Sequence, residues 1–212
     1  MRRGIIASSR CDNGLREGLV AHYLFDCNSN DELNNYNGTD DSINYSNEGG
    51  RKCAVFTGGK INIGSPFLAN GDMSVSFWFK TSSTVTQYPM ACRPLENFRN
   101  FIVMNSTLLN VTLRDNITGA IGITDNANYA NGNWHHIAYS IDRTNNELKL
   151  YIDKVLINTA DISIVGNLPI GDVYFGYSFY DKKTFRGYIT DGRIYHRVLT
   201  STDVTNINDL EK

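Results

Sequence analysis

The chain has 212 residues, a formal net charge of −2, and 41% hydrophobic against 20% charged residues. A length in this range suits one all-β sandwich or barrel and buries a full core without metal or disulfide help. The near-neutral charge excludes a global pull on nucleic acid or anionic membrane, and no run of about 20 apolar residues is present for membrane insertion.

The first segment, 1–17, carries Arg2-Arg3 and the short apolar run Gly4 to Ala7. That run is too short for a secretory signal, so synthesis in the cytoplasm is expected, with exit by assembly into a particle or by lysis. The segment reads as an arm or extra edge strand, and 18–212 as one domain. Strand-like runs follow at 19–25, 53–56, 60–63, 73–80, 100–104, 108–114, 134–141, 147–153, 173–178 and 183–189. Several alternate cleanly: Met73, Val75, Phe77 and Phe79 oppose Ser74, Ser76 and Lys80. That period of two predicts strands with one face in a core. Turn signals fall between them at Asn37-Gly38, Gly58-Gly59, Asn70-Gly71, Asn131-Gly132 and Asn145-Asn146. The pattern predicts an all-β antiparallel sandwich or barrel.

The last run breaks its own alternation. Phe185, Gly187 and Ile189 share one parity, and the next aliphatic, Ile194, lies on the other. Both isoleucines reach one core only if an extra residue intervenes, so a β-bulge is predicted at Thr190 to Gly192. Thr200 and Asp203 then have the spacing of a capping box, which predicts one short C-terminal helix with Val204 and Ile207 inward.

Five stretches resemble laminin-G-like domains of the concanavalin A-like lectin/glucanase superfamily. They are "GLVAHYLFDCNSND", "MSVSFWFK", "WHHIAYSID", "LKLYIDKVL" and "FRGYITDGRIYHRVLTSTDV", in family order from Gly18 to Val204. The departures are Cys27 and Lys154 where the family usually has Gly, and Thr190 where it has the first of two acids. The resemblance implies an all-β antiparallel β-sandwich of the jelly-roll, concanavalin A-like type, and it implies one Ca²⁺ between the early polar loop and the late strand. The candidate ligands are Asp26, Asn28, Asp31 and Asp191; Ca²⁺ takes six to eight oxygens, and backbone carbonyls would complete the shell. The competing reading of the same loop is a set of Asx turns.

Catalysis is not expected. Glycosidases need two carboxylates at a set separation, and none of Glu17, Glu32, Glu48, Glu96, Glu147 and Glu211 lies two or four residues from another. His135 and His136 read as structural strand residues, one inward and one outward. Glycan binding needs exposed aromatics beside polar groups. The candidates are Tyr174, Tyr177, Phe179, Tyr180 and Asp181, with Phe175, Tyr177 and Phe179 placed on one face by parity and Tyr174 and Tyr180 on the other. Tyr88 and Tyr129 are secondary candidates. Of the four cysteines, Cys11, Cys27, Cys53 and Cys92, none forms a CxxC pair, and unpaired thiols are expected, with a Cys27–Cys53 bridge as the alternative.

These features predict a recognition or decoration module whose partners are glycans or virion structural proteins, with homo-oligomers arising through assembly. Domains resembling this one occur in bacteriophage structural proteins, so the expected location is a virion surface, with the arm 1–17 docking on a neighbour. The alternatives are a secreted or cell-surface lectin-like module and, last, a glycoside hydrolase.

Overall fold

A computed structural model describes residues 14–93, 101–115, 119–168 and 170–210. Most of the expected arm, residues 1–13, lies outside the described residues, as does Cys11. In chain order the elements are β1 (Leu19–Tyr23), β2 (Thr39–Glu48), β3 (Arg51–Asn62), β4 (Met73–Lys80), β5 (Gln87–Arg93), β6 (Phe101–Met104), β7 (Leu109–Arg114) and β8 (Ala120–Asp125). There follow β9 (Trp134–Asp142), β10 (Glu147–Ile152), β11 (Val155–Asp161), β12 (Asp172–Phe175), β13 (Tyr177–Ser178), β14 (Lys183–Thr184), β15 (Arg186–Tyr195) and α1 (Ser201–Leu210).

One hydrogen-bonded path runs β11-β10-β9-β4-β15-β3-β12-β5-β6-β7-β8, with β1 joined to β15 and β2 to β3. The pairings are antiparallel. The two ends of the path, β8 and β11, meet each other, so the sheet folds over and closes on its own apolar face. Of the two antiparallel forms that the alternation allows, this is the sandwich that the resemblance implies. Its centre is aromatic: Phe175 sits edge-on to Tyr23, Phe25 and Phe77, at ring separations of 6.2, 5.3 and 5.6 Å. Each such buried ring contributes about 1.5–3 kcal/mol through removal from water.

A second, smaller core lies on the outer face of β4, β9 and β15. Helix α1 covers it, and Leu15, Ala138, Tyr151, Tyr195, Leu199, Val204 and Ile207 fill it. The predicted capping box forms: the Asp203 amide donates to Thr200 Oγ1 at 3.1 Å, and the Thr200 amide donates to Asp203 Oδ2 at 2.9 Å. Leu15 is only 3% exposed, so packing onto the domain begins before residue 18.

Two local expectations change. Gly58-Gly59 is not a turn but the middle of the twelve-residue β3. A Cβ on Gly59 would lie 2.3 Å from the Ser42 carbonyl oxygen, so the glycine lets β2 approach at a register shift. Strand β2, "TDDSINYSNE", is too polar to show alternation; it is an outer strand held along β3, with its hairpin closed by Gly49 and Gly50, both at positive φ. The predicted bulge is present. β15 shifts register against β4 between Thr190 and Arg193, Asp191 has φ +49°, and Ile189 and Ile194 are both fully buried.

Candidate functional site

The bulge lies where β15 changes neighbours. Its first half pairs with β3 and its second half with β1, so His22 faces Arg193 across the ladder. Thr190 Oγ1 ties the diverging strands by hydrogen bonds to the carbonyls of Leu24 and Lys52, at 2.9 and 2.8 Å. Asp191 is 1% exposed, and its Oδ1 accepts from His22 Nε2 at 2.7 Å and from Arg193 Nε at 2.9 Å. Burial by itself would raise this carboxyl, but the His22 hydrogen bond and the Arg193 charge outweigh it and hold Asp191 below the usual carboxylate range.

Asp31 is satisfied in another way. Its Oδ1 accepts from the amides of His22 and Leu33, at 2.8 and 3.1 Å, and its Oδ2 from those of Asn35 and Tyr36, at 2.9 and 3.1 Å. Asn28 Oδ1 closes an Asx turn on the Asn30 amide at 2.8 Å, and Asp26 pairs with Lys52 at 3.7 Å. His22 therefore joins Asp31, through its backbone, to Asp191, through its ring, while Asp26 and Asn28 stay apart from both. This donor set does not fit a Ca²⁺ shell. Four amides occupy the Asp31 carboxylate, and a fixed guanidinium neutralises Asp191. Among the described residues no three His, Cys, Asp or Glu side chains gather in a group that could hold a metal ion. Cys27, Cys53 and Cys92 are free thiols, so Cys27 and Cys53 are not bridged.

Three of the aromatic candidates, Tyr174, Tyr177 and Phe179, come together, though not by the predicted parity. Gly176, at φ +83°, ends β12, and a Cβ there would lie 2.3 Å from Phe56 Cδ1. The reversal separates Phe175, which enters the core, from Tyr177 and Phe179, which do not follow it. Phe179 instead lies 4.6 Å from the Tyr174 ring and 4.7 Å from the Tyr177 ring. β13 and β14 then pair as a short hairpin, Tyr177 opposite Thr184 and Ser178 opposite Lys183. At its tip Tyr180 is 55% exposed, and Asp181 accepts a hydrogen bond from the Tyr88 hydroxyl. Polar groups border the cluster. Tyr174 donates to Asp172 Oδ2 at 3.2 Å, Asn62 Nδ2 donates to the same oxygen at 3.2 Å, and Lys60 Nζ lies 5.5 Å from the Tyr177 ring. Of the secondary candidates, Tyr88 is buried and Tyr129 donates to Asp125 Oδ2 at 2.5 Å.

Two clefts flank Arg186, the first residue of β15. One, about 320 Å³, is lined by Val85, Thr86, Lys182, Lys183, Thr184 and Arg186. The other, about 310 Å³, includes Thr57, Lys80, Ser82, Ser83, Arg186 and Tyr188 in its lining. A fully buried amide holds their common wall. Gln87 Nε2 donates to Thr81 Oγ1 at 3.2 Å and to the Ser83 carbonyl at 3.0 Å, and Gln87 Oε1 accepts from the Arg186 amide at 3.0 Å. The sequence carries a signal for the first cleft in Lys182, Lys183 and Arg186, cations crowded within five residues. It carries none for Gln87, whose bond to Arg186 spans 99 positions of the chain. A third cleft, about 660 Å³, lies between the end of α1 and the β2–β3 turn and is lined in part by Asp26, Arg51, Lys52 and Thr190. There the Arg51 guanidinium stacks 4.0 Å from the Trp78 ring centroid.

The histidine pair takes opposite faces. His135 lies on the parity of the core residues and bonds Asp153 Oδ2 at 2.7 Å. His136 lies on the outer parity, yet it is fully buried beside Trp78, with Nε2 hydrogen-bonded to Ser76 Oγ at 3.0 Å. Desolvation pushes its pKa from the ordinary 6.5 down to about 4, so the ring is neutral near pH 7.

Residues 56–205, more than half of the chain, match a laminin-G family described as concanavalin A-like lectin/glucanases superfamily. Comparison with curated protein sequences gave no match. Among known structures, the fold is similar to domain 4 of AbnA, a GH43 extracellular arabinanase from Geobacillus stearothermophilus, in complex with arabinotriose. That likeness has a TM-score of 0.69 at 23% identity and covers 90% of this chain and 98% of the other. It is also similar to the binding domain of Paraclostridial Mosquitocidal Protein 1, with a TM-score of 0.75 at 15% identity over 92% of this chain and 53% of that one. The botulinum neurotoxin serotype D binding domain gives a TM-score of 0.73 at 16% identity over 92% and 52%. The chain thus spans about half the length of these toxin domains. The sequence match and the closed antiparallel sandwich agree, and the chain belongs to this laminin-G-like family of the concanavalin A-like lectin/glucanase superfamily.

Proposed function

We propose that the chain is a non-catalytic carbohydrate-recognition module whose sugar site is the β13–β14 hairpin. One observation carries this reading. The hairpin packs Phe179 against Tyr174 and Tyr177, with Asp172 and Asn62 at the Tyr174 hydroxyl, and leaves Tyr180 exposed at its tip next to Asp181. Sugar rings present C–H faces that pack on aromatic rings, and their hydroxyls need oriented polar partners, which these side chains supply. The complex of the arabinanase domain with arabinotriose supports the reading as a use to which this fold is put. The state of the carboxylates supports the non-catalytic reading. Glu48 is engaged by Lys80 and Glu147 by Lys149, each at 2.6 Å, and the hairpin contributes one acid, Asp181, already bonded to Tyr88.

Our reading places the module on the surface of a larger assembly, a virion, with the N-terminal segment as its attachment arm; a secreted or cell-surface lectin-like module uses the same site. The sugar site is tested by screening the full chain on a broad polysaccharide array and titrating the hits by calorimetry, wild type against Tyr180→Ala. Tyr180→Ala should weaken binding about tenfold, the scale of one lost stacking contact of roughly 1 kcal/mol or slightly more. A blank array, or hits that Tyr180→Ala leaves unchanged, overturns the reading.

A further inference from the structure

We propose that the ligand of this module is an anionic polysaccharide, whose carboxylate or sulfate groups are held by Lys182, Lys183 and Arg186 in the cleft beside the hairpin. The inference rests on the carbohydrate reading above and names the class of sugar.

The first ground is charge. Seven cations elsewhere on the molecule are matched by acids of the chain, Lys52 by Asp26, Lys60 by Asp41, Lys80 by Glu48, Lys149 by Glu147, Lys154 by Asp209, Arg193 by Asp191 and Arg197 by Asp203, while Arg51 stacks on Trp78 and Arg143 donates to the carbonyls of Val165 and Gly166. Lys182, Lys183 and Arg186 are all exposed, and among the described residues no acid pairs with them. Their nearest acid along the chain, Asp181, is bonded to Tyr88. The chain as a whole is slightly acidic, at −2, so this is a local concentration of positive charge rather than a reflection of composition.

The second ground is construction. The three cations line a cleft of about 320 Å³, within the size range of ligand pockets, together with the hydroxyl-bearing Thr86 and Thr184. Fully buried Gln87 locks the 81–86 loop to the start of β15, so the wall that carries Arg186 is set before any ligand arrives. Phe185, between Lys183 and Arg186, anchors the segment in the core, 5.9 Å from the Phe56 ring. A guanidinium fork matches the paired oxygens of a carboxylate or sulfate, and the lysines add point charges.

The third ground is adjacency. Lys182 and Lys183 sit on the same hairpin as Tyr177, Phe179 and Tyr180, and Arg186 follows it at the start of β15. A sugar resting on Tyr180 therefore has its substituents within the field of Lys182 and Lys183. Acids on the opposite border, Asp172 and Asp41, oppose a continuous phosphate backbone, which favours a ligand with spaced charges over nucleic acid.

The test titrates the full chain with two matched pairs, polygalacturonate against its methyl-esterified form and dextran sulfate against dextran, at 50 and 300 mM salt. Wild type should prefer one anionic probe over its neutral partner by at least about tenfold, the scale of one charge-assisted hydrogen bond. That preference should shrink at the higher salt. The Lys182→Ala/Lys183→Ala double variant and Arg186→Gln should each lose the preference while keeping the wild-type melting temperature; Lys182→Arg/Lys183→Arg should retain it. Equal binding of charged and neutral probes, or an anionic preference that the variants keep, overturns the inference and leaves the carbohydrate reading standing. No binding to any polysaccharide, including the array hits, overturns both. Tighter binding of single-stranded RNA or of phosphatidylserine vesicles, lost in the double variant, assigns the cations to a different ligand and also overturns the inference.

Discussion

The two ends of β15 put the same residue types to opposite uses. At its start, Arg186 is exposed beside Lys182 and Lys183, with no acid paired to it among the described residues. Seven residues on, Arg193 is 7% exposed and locked to Asp191, which is itself locked to His22. The difference is coverage. The second half of the strand runs between β1 and β4 with α1 packed against Tyr195, where an unpaired charge costs several kcal/mol, so its charged groups neutralise one another. The first half opens onto solvent, where an unpaired cation costs little and stays free for a ligand. The matched charges at Asp191 and Arg193 hold the fold together, and the unmatched ones at Lys182, Lys183 and Arg186 are those the proposed anion site uses.

The largest effect should come from breaking the matched end. Asp191→Ala removes the acceptor shared by His22 and Arg193 and leaves a guanidinium buried without its counter-ion, at a cost of about 3–5 kcal/mol in urea unfolding. Arg186→Ala at the other end should stay within about 0.5 kcal/mol of wild type. Replacing both partners, as in Asp191→Ala/Arg193→Met, should recover much of the loss. Similar costs at Asp191 and Arg186 would erase the distinction.

Acid should separate the ends next. His136 is fully buried, among Asp191, Asp153, Arg193 and Arg51, and its pKa is lowered to about 4. The unfolded chain titrates this ring near 6.5 and the folded one near 4, so the unfolded state binds the extra proton between those values. Stability is complete above pH 6.5 and falls on the order of 3 kcal/mol as pH drops to about 4. Asp191, held below the ordinary carboxylate range, loses its contribution only at still lower pH. Unfolding curves between pH 7 and 4 should show this slope, and His136→Gln should flatten it. Equal slopes in the two proteins would remove His136 as the cause.

Much of this arrangement was legible in the sequence, for reasons that differ by residue. Alternation exposed the strands wherever one face is apolar, as in β4, and the parity clash of Ile189 with Ile194 located the bulge. Strand β2 was illegible because only Ile43 and Tyr45 interrupt its polar residues, and pairing along β3 holds the rest in place. Parity failed at Tyr177 because Gly176 at positive φ resets the chain direction, and a glycine alone does not reveal its φ. The hairpin aromatics were visible as a cluster of residue types. The cleft was not, since Gln87 builds it from contacts across 99 positions to Arg186. Asp191 was marked by its position in the bulge, but its partner His22 is 169 residues away, and only the fold shows that the acid is already engaged.

The smallest expected effect is a null response that bears directly on the early loop. A polar loop with two Asp and two Asn within six residues has the composition of a calcium site. Its chemistry here is spent on the backbone: four amides fill the Asp31 carboxylate, and the Asn28 turn is closed. For a chain of this size, 1 kcal/mol moves the melting temperature by about 2–4 °C, so a bound structural ion would be conspicuous when stripped. Dialysis against EDTA, followed by thermal unfolding with and without millimolar Ca²⁺, should leave the melting temperature unchanged within about 1 °C. Asp31→Ala should lower it in both conditions by the same amount, because the lost acceptor serves amides and not an ion. A calcium-dependent rise that Asp31→Ala abolishes would show instead that the loop rearranges to bind metal, and that its acids are less completely matched than those at Asp191.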